Sequence, residues 1–365
     1  MNNRFNVLLL ITVFTLGFIS CKKENNNTIT EGTKGNYVIN YGNYSGGKST
    51  ITLYDTENDT TVQKYYQGKN NYSIVSNIQH ACNFNNNIYF MGNNTDEIMF
   101  VDENTFEQTK NAITKDIVQP RFAIGNGSYL YVSCWGGDMW IDNSTSYIAK
   151  INISTNLVEE KIALPGGPEG LAIANNKLYA ALNYKDSIAV IDLSSESVSY
   201  IISPAVTSYF IKDNAENLYV SLVSTYSNYS ENTGLAYINT TTDQIEVTYS
   251  LDGVSSNYGS ILAANSDRTK VYVVASAWVL ENEEYVLKGS LATFNTSSKA
   301  FETSMFIEGV TGINAVSVDQ TSDDVILFIS PSATENGSMK IFNSTGTLIK
   351  EHQTGIAPFM MITVD

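Results

Sequence analysis

A short pattern that ends in Asp or Asn recurs seven times along this chain of 365 residues. One copy reads "SIAVIDLSSESV", a mostly apolar run followed by a small polar turn and a second run. Successive copies lie 40 to 56 residues apart. A short polar side chain after a strand caps the next turn by accepting hydrogen bonds from backbone N–H groups. We predict that structural role for the seven aligned residues Asp55, Asp102, Asn152, Asp192, Asn239, Asn295 and Asn343.

The strand that precedes this pattern also occurs seven times, for example as "LYVSC", "LYAAL" and "VYVVA". Residues 170–202 contain a complete unit, in which tight polar turns separate four short apolar runs. Four antiparallel strands per repeat of about 40 to 50 residues are typical of propeller blades, which must cover each other's faces. The sequence therefore predicts an all-β fold, a seven-bladed β-propeller with four-stranded antiparallel blades.

The phase of the repeat predicts how the ring closes. The first unit begins with the second strand of a blade, "NYVINYGN", whereas the chain ends with an innermost strand, "APFMMITVD". We therefore expect the C-terminal strand to complete the first blade. The predicted propeller covers residues 37–365.

The N-terminus carries an export signal. A 16-residue mostly apolar run from Phe5 to Ser20 is shorter than the roughly 20 residues that a spanning helix needs. The sequence "GFISC" resembles a bacterial lipobox, which predicts a lipoprotein signal peptide over residues 1–20, lipidation of Cys21 and a flexible tether over residues 21–36. An ordinary signal peptide with a chance cysteine is the alternative. We expect attachment to the outer membrane through the lipid anchor only, facing outward.

The charge of the chain argues against nucleic acid as a partner. The formal net charge is −16, and removal of residues 1–20 makes it about −17, because Arg4 is the only charged residue there. Such a surface repels phosphate backbones. The spacing of Cys82 and Cys134 indicates neither a metal site nor a disulfide scaffold, so we expect buried thiols, with a disulfide as the alternative.

Residues 42–49 match the phosphate-binding pattern G-x-x-x-x-G-K-[ST]. A functional P-loop leads into a helix, whose N-terminal N–H groups hold the phosphates. Here an alternating run, "TITLYD", follows Ser49 and indicates a strand. We therefore predict that this stretch is a loop between two strands of the first blade and that Lys48 lies at the rim.

The loops between the second and third strands are unusually long in three blades, where they read "CWGGDMWIDNSTS", "STYSNYSENT" and "SAWVLENEEYVLK". They contain every tryptophan of the chain and several tyrosines. A large aromatic side chain in a loop can instead be a plug over a neighbouring blade. Their concentration on one predicted face favours a binding surface, and the candidate residues are Trp135, Trp140, Trp278, Tyr226, Tyr229 and Tyr285.

The segments that lead into the innermost strands are expected on the same face, around the central channel. Arg121 is a candidate to bind a carboxylate, amide or phosphate group, and a salt bridge to Glu169 is the equal alternative. A lone histidine such as His80 is more often a hydrogen-bonded core group than a base. The candidate ring residues are His80, Arg121, Glu169, Tyr209, Tyr258, Asn314 and Phe359.

From Tyr37 onward, the "YVINYGNYSGGKSTITLYD" start and the repeated second and third strands resemble the YVTN-type seven-bladed propellers, above all the surface lipoproteins of Bacteroidetes. The resemblance implies a capture protein. Members of that group bind cobalamin on one face and pass it to a TonB-dependent outer-membrane transporter. Cobalamin or another corrinoid is therefore the expected ligand, and such a transporter the expected partner.

Three hypotheses about function follow. The first is a non-enzymatic lipoprotein that captures a small-molecule nutrient, with no catalytic residues, no cofactor and no metal. The second is a protein–protein interaction scaffold, because interfaces favour the same aromatic residues. The third is a propeller hydrolase or lyase with a calcium site at the channel mouth, for which the mouth offers Glu169, Asn257 and Asn314.

Overall fold

The computed structural model describes residues 35–43, 48–255, 260–281 and 283–364, which belong to one compact unit from Thr33 to Asp365. Backbone alone is described for Trp278 and residues 284–287. The predictions for the signal peptide, Cys21, most of the tether and Tyr258 lie outside the described residues. No helix in the described part of the chain is long and apolar enough to cross a membrane.

In the part of the chain that the structure describes, 28 strands form seven separate sheets, as the repeats predicted. We number the blades in chain order by their second strand. Blade 1 contains β1 (Gly35–Asn40), β2 (Thr50–Asp55) and β3 (Thr60–Val62). Blade 2 contains β4 (Ile78–Phe84), β5 (Asn87–Gly92) and β6 (Glu97–Asp102). Blade 3 contains β7 (Pro120–Asn126), β8 (Tyr129–Cys134), β9 (Tyr147–Asn152) and β10 (Leu157–Ala163).

The next two blades are regular meanders of four strands. Blade 4 contains β11 (Pro168–Ala174), β12 (Lys177–Leu182), β13 (Ser187–Asp192) and β14 (Val198–Ile202). Blade 5 contains β15 (Val206–Lys212), β16 (Leu218–Val223), β17 (Gly234–Asn239) and β18 (Gln244–Ser250).

The last blades complete the ring. Blade 6 contains β19 (Leu262–Ala264), β20 (Lys270–Glu281), β21 (Glu284–Asn295), β22 (Ala300–Phe301) and β23 (Ile307–Thr311). Blade 7 contains β24 (Ile313–Val318), β25 (Val325–Ile329), β26 (Asn336–Phe342) and β27 (Leu348–Ile356), and β28 (Pro358–Val364) belongs to blade 1. The described residues also form helix α1 (Tyr65–Asn70) and two 3-10 turns, Asn93–Thr95 and Asn143–Thr145.

The C-terminal strand closes the ring as predicted. β28 pairs antiparallel with β1, from Gly35 opposite Val364 to Ile39 opposite Met360. Each innermost strand also contacts the innermost strands of both neighbouring blades. The ring is therefore held by backbone pairing between the two ends of the propeller.

Two blades differ from the regular pattern. In blade 2 the outer position is a single bridge between Ile98 and Ile113 rather than a strand. In blade 6 the long insertion, expected as a loop, instead lengthens β20 and β21 into a paired hairpin that ends where Glu281 faces Glu284. Apolar and β-branched residues such as Val279 and Leu280 make that segment a good strand, so the expectation of an irregular loop there was wrong.

The aligned Asp and Asn residues cap the turns after the third strands, as predicted. Asp55 accepts from the N–H groups of Glu57 and Asn58 at 3.0 and 3.1 Å, and Asn295 accepts from Ser297 and Ser298 at 3.0 and 2.9 Å. The other five accept in the same way: Asp102, Asn152, Asp192, Asn239 and Asn343. The capping role predicted for the seven aligned residues is therefore confirmed for each of them.

Two further predictions concern single positions. A strand, β2, rather than a helix follows Ser49 directly, as predicted, and the Ser49 hydroxyl donates to the Tyr41 carbonyl at 2.8 Å. Residues 44–47 of the P-loop-like stretch lie outside the described residues. Cys82 and Cys134 are both free thiols, with Cys134 fully buried and Cys82 half-buried. Burial raises the pKa of each thiol to about 12.

Candidate functional site

The innermost strands of six blades contain a β-bulge near their first residues. In β7, Pro120 faces Cys134 and Phe122 faces Ser133, which leaves Arg121 without a partner in the ladder. A bulge bends its strand and redirects a side chain, and bulges are common next to functional sites. The bulged positions are Gln79 and His80, Arg121, Glu169 and Gly170, Ser208 and Tyr209, Asn314, and Phe359.

Serine side chains on the second strands of blades 3 and 5 hold two of these bulges. The Ser133 hydroxyl accepts from the Phe122 N–H at 3.0 Å and donates to the Glu169 carbonyl at 2.8 Å. Ser221, at the equivalent place in "LYVSL", accepts from the Tyr209 N–H at 2.9 Å. The repeated strand motif therefore also positions the site, a role that the sequence pattern contained but that we did not assign.

Arg121 and Glu169 form a buried ion pair between blades 3 and 4. The Arg121 Nη2 lies 2.8 Å from Glu169 Oε1, and Nε lies 3.1 Å from both carboxylate oxygens. Burial by itself lowers the pKa of the guanidinium group, but the carboxylate outweighs burial and the pKa of Arg121 is raised. The salt-bridge alternative for Arg121 is thus the arrangement found.

The same guanidinium group lies against the first tryptophan of the blade 3 loop. The Arg121 Cζ is 4.0 Å from the centre of the Trp135 ring. This contact confirms that the long loops and the starts of the innermost strands share one face, as the order of strands predicted. Gly136 makes the close turn possible, because its φ is +76° and a Cβ there would lie 2.2 Å from the Thr145 carbonyl.

His80 is a buried, neutral side chain. Its Nδ1 accepts from the Ala123 N–H at 3.3 Å, and its ring stacks on Phe122 with centres 3.5 Å apart. Burial lowers the pKa of His80 to about 3. Because Nδ1 is an acceptor, the ring proton is on Nε2.

Three other candidate ring residues are described: Tyr209, Asn314 and Phe359. Tyr209 is half-buried and meets Phe122 edge-to-face at 6.3 Å, and burial raises the pKa of its hydroxyl. Asn314 donates from Nδ2 to the Pro358 carbonyl at 2.8 Å. Phe359, only 1% exposed, packs edge-to-face with Tyr41 and so offers a ligand almost no surface.

An aromatic strip, defined as Trp135, Tyr184, Trp140 and Tyr226, runs across blades 3, 4 and 5. The rings meet edge-to-face, with centres 5.6 Å apart for Trp135 and Tyr184, 6.3 Å for Tyr184 and Trp140, and 5.6 Å for Trp140 and Tyr226. Exposure rises along the strip, from half-buried Trp135 to 63% at Trp140 and 95% at Tyr226. Tyr229, on the same loop as Tyr226, is 80% exposed.

Two further candidates belong to blade 6. Trp278 and Tyr285 lie on opposite strands of the blade 6 hairpin, where their backbones are described. Tyr184 and Phe122 were missed. Tyr184 lies in a loop of four residues, 183–186, and Phe122 follows a bulge that no residue pattern indicates. Both are aromatic neighbours of a predicted site residue, which is the one signal that could have identified them.

No group of three or more His, Cys, Asp or Glu side chains among the described residues is placed to hold a metal ion. The calcium site considered for the channel mouth involved Asn257, which lies outside those residues.

Comparison with known proteins gives a family and a fold. Residues 34–356 match the family described as domain of unknown function (DUF5074). No curated protein matches the chain by sequence. A quinonprotein alcohol dehydrogenase-like protein from Bacteroides thetaiotaomicron is similar in structure, with a TM-score of 0.67 and 15% identity over 91% of this chain and 78% of that one.

Two other solved structures share the fold. The periplasmic gluconolactonase of Pseudomonas aeruginosa has a TM-score of 0.64 and 10% identity over 91% of this chain and 99% of that one. Hydrazine synthase of Kuenenia stuttgartiensis has a TM-score of 0.61 and 14% identity over 75% of this chain and 85% of that one. At such identities the similarity extends to the propeller alone, whose functions vary widely.

Proposed function

Because this chain belongs to the DUF5074 family, whose domain has no known function, we propose a function from the site itself. The protein is a non-enzymatic ligand-binding protein that captures a small molecule on the face of the long loops. The aromatic strip and the bulged residues of blades 2 to 5 form the binding surface. The ligand contacts the exposed rings first and the channel mouth with its polar groups.

The single observation that carries this proposal is the aromatic strip. Four rings in edge-to-face contact hold one another in place, and two of them remain largely exposed to solvent. Exposure of aromatic rings to water is unfavourable, and a ligand that covers them lowers the free energy. Rigid rings also bind at a low cost in conformational entropy.

The resemblance to the propeller lipoproteins suggests the ligand and the partner. We take cobalamin or another corrinoid as the first candidate ligand, captured at the cell surface by a protein anchored through Cys21. A TonB-dependent outer-membrane transporter is the proposed partner that receives it.

The test is a titration of residues 22–365 with cyanocobalamin, followed by tryptophan fluorescence and by calorimetry. We expect saturable quenching, and a loss of affinity of at least about tenfold when Trp140→Ala and Tyr226→Ala are combined. Tyr200→Ala is the matched control, because Tyr200 is a half-exposed aromatic residue on the outer strand β14. If corrinoids, siderophores and glycans all leave the fluorescence and the heat unchanged, the proposed capture function is wrong.

A protein-docking role is the second candidate, and one observation favours it. Ile141, beside Trp140, is 84% exposed, and an aliphatic side chain of this kind is typical of a protein interface. Affinity isolation from native membranes tests it: recovery of an outer-membrane transporter by the wild type and not by Ile141→Asp supports docking. Equal recovery by both proteins would place any partner elsewhere.

A further inference from the structure

Several polar groups in the described part of the channel mouth are hydrogen-bond donors. Both oxygens of the Glu169 carboxylate accept from Arg121, so this acceptor group is already engaged. The Nη1 of Arg121 makes no hydrogen bond to another described residue and keeps two N–H groups available. The ion pair therefore leaves donors of Arg121 at the mouth, while both oxygens of its carboxylate already accept a hydrogen bond.

Three neighbouring side chains also present hydrogen-bond donors. With Nδ1 occupied by the Ala123 N–H, His80 presents Nε2–H. The Tyr209 hydroxyl and the Trp135 indole Nε1–H make no hydrogen bond to any described residue, and that indole nitrogen is buried. A buried donor without an acceptor costs about 1 to 3 kcal/mol of stability relative to a paired one.

The mouth is also close to electrically neutral. The charge of Arg121 is compensated by Glu169 at 2.8 Å, and neither His80 nor Tyr209 carries a charge at neutral pH. The chain as a whole has a formal net charge of −16, which repels anions over distance. At this ion pair a carboxylate meets a cation that is already paired, and an ammonium group meets a carboxylate that already accepts from Arg121.

We infer that the mouth selects a neutral hydrogen-bond acceptor, such as an amide or another uncharged carbonyl group, through donors on Arg121, Trp135, His80 and Tyr209. This inference rests on the proposed function and specifies the chemistry of the ligand group that reaches the channel. A molecule with flat surfaces and peripheral amides fits both the aromatic strip and the mouth.

Three probes of one shape and different charge test it: benzamide, benzoate and benzylamine. The chain contains three tryptophans and three arginines, so the indole N–H and Arg Nε–H signals of the ¹⁵N-labelled protein are few. Substitutions Trp135→Phe and Arg121→Lys assign the two relevant signals. We expect benzamide to shift both, with a dissociation constant at least about tenfold below those of benzoate and benzylamine.

Glu169→Gln separates charge from shape. Without the carboxylate, Arg121 becomes an uncompensated cation, and we expect benzoate to bind at least about tenfold more tightly than to the wild type. Glu308→Gln is the control, since it changes the charge equally on the exposed outer strand β23. Preference for benzylamine, equal binding of all three probes, or no shift by benzamide at its solubility limit would overturn the inference.

The two proposals fail differently. If benzamide shifts the Trp135 and Arg121 signals but no corrinoid, siderophore or glycan binds, the mouth has the inferred selectivity and the capture function is wrong. If cyanocobalamin binds at the exposed end of the aromatic strip, at Trp140 and Tyr226, without moving either signal, the capture function holds and the donor mouth does not take part. The wild-type comparison needs no variant, so misfolding of Glu169→Gln does not affect it.

Discussion

Arg121 touches Trp135 with its guanidinium carbon 4.0 Å from the ring centre, and this contact joins an innermost strand to the long loop of the same blade. Arg121 also reaches across to Glu169 of blade 4. One side chain thus links the bulge, the loop and the next blade. Substitutions at Arg121 should therefore affect both stability and ligand binding.

The first prediction concerns this buried pair. Arg121→Ala leaves Glu169 as an uncompensated buried carboxylate, and we expect a loss of about 3 to 5 kcal/mol in the free energy of unfolding. The double variant Arg121→Leu with Glu169→Leu should lose much less, because no charge remains unpaired. Urea unfolding measures both, and a double variant as unstable as the single one would contradict the argument.

The second prediction concerns pH. The pKa of His80 is about 3 in the folded protein, below the ordinary value of 6.5, so the unfolded chain binds a proton that the folded protein rejects. The contribution of neutral His80 is complete above pH 6.5 and is lost as the pH falls toward 3, by about 1.4 kcal/mol per pH unit. His80→Gln should show a shallower loss of stability over this range than the wild type, and His352→Gln serves as the control.

The third prediction concerns the capped turns. Asn295→Ala removes the acceptor for two backbone N–H groups at the end of β21 and should cost about 1 kcal/mol. Asn295→Asp keeps an acceptor and should cost clearly less. Thermal unfolding compares the two, and equal losses would show that the turn does not depend on this acceptor.

The fourth prediction concerns closure of the ring. Deletion of residues 358–365 removes β28 and leaves β1, whose residues Tyr37, Val38 and Ile39 are fully buried, as an open edge. We expect the truncated protein to lose its cooperative unfolding transition and to aggregate. Deletion of Asp365 alone is the control, and a cooperative transition in the longer truncation would argue that six blades and a partial seventh suffice.

The architecture could be predicted from sequence because its signals are local. Asp55 or Asn343 caps a turn formed by the next few residues, so the recurrence of such residues along the chain was enough to count the blades. The exact site contacts are not local: Arg121 and Glu169 meet across two blades, and nothing in either segment indicates whether they pair with each other or with a ligand. The blade 6 hairpin was missed because a long apolar insertion suits a loop and an extended strand pair equally well.

The bulges have a consequence for how this fold diversifies. A residue that lies outside the ladder, as Arg121 does between Pro120 and Phe122, takes no part in the pairing of its strand with the next one. Its replacement can change what the channel recognises while the flanking strand keeps its register. Six such bulges around one opening therefore provide positions at which the recognition surface can vary. Propellers that share as little as 10% of their residues can then carry different chemistry on the same frame.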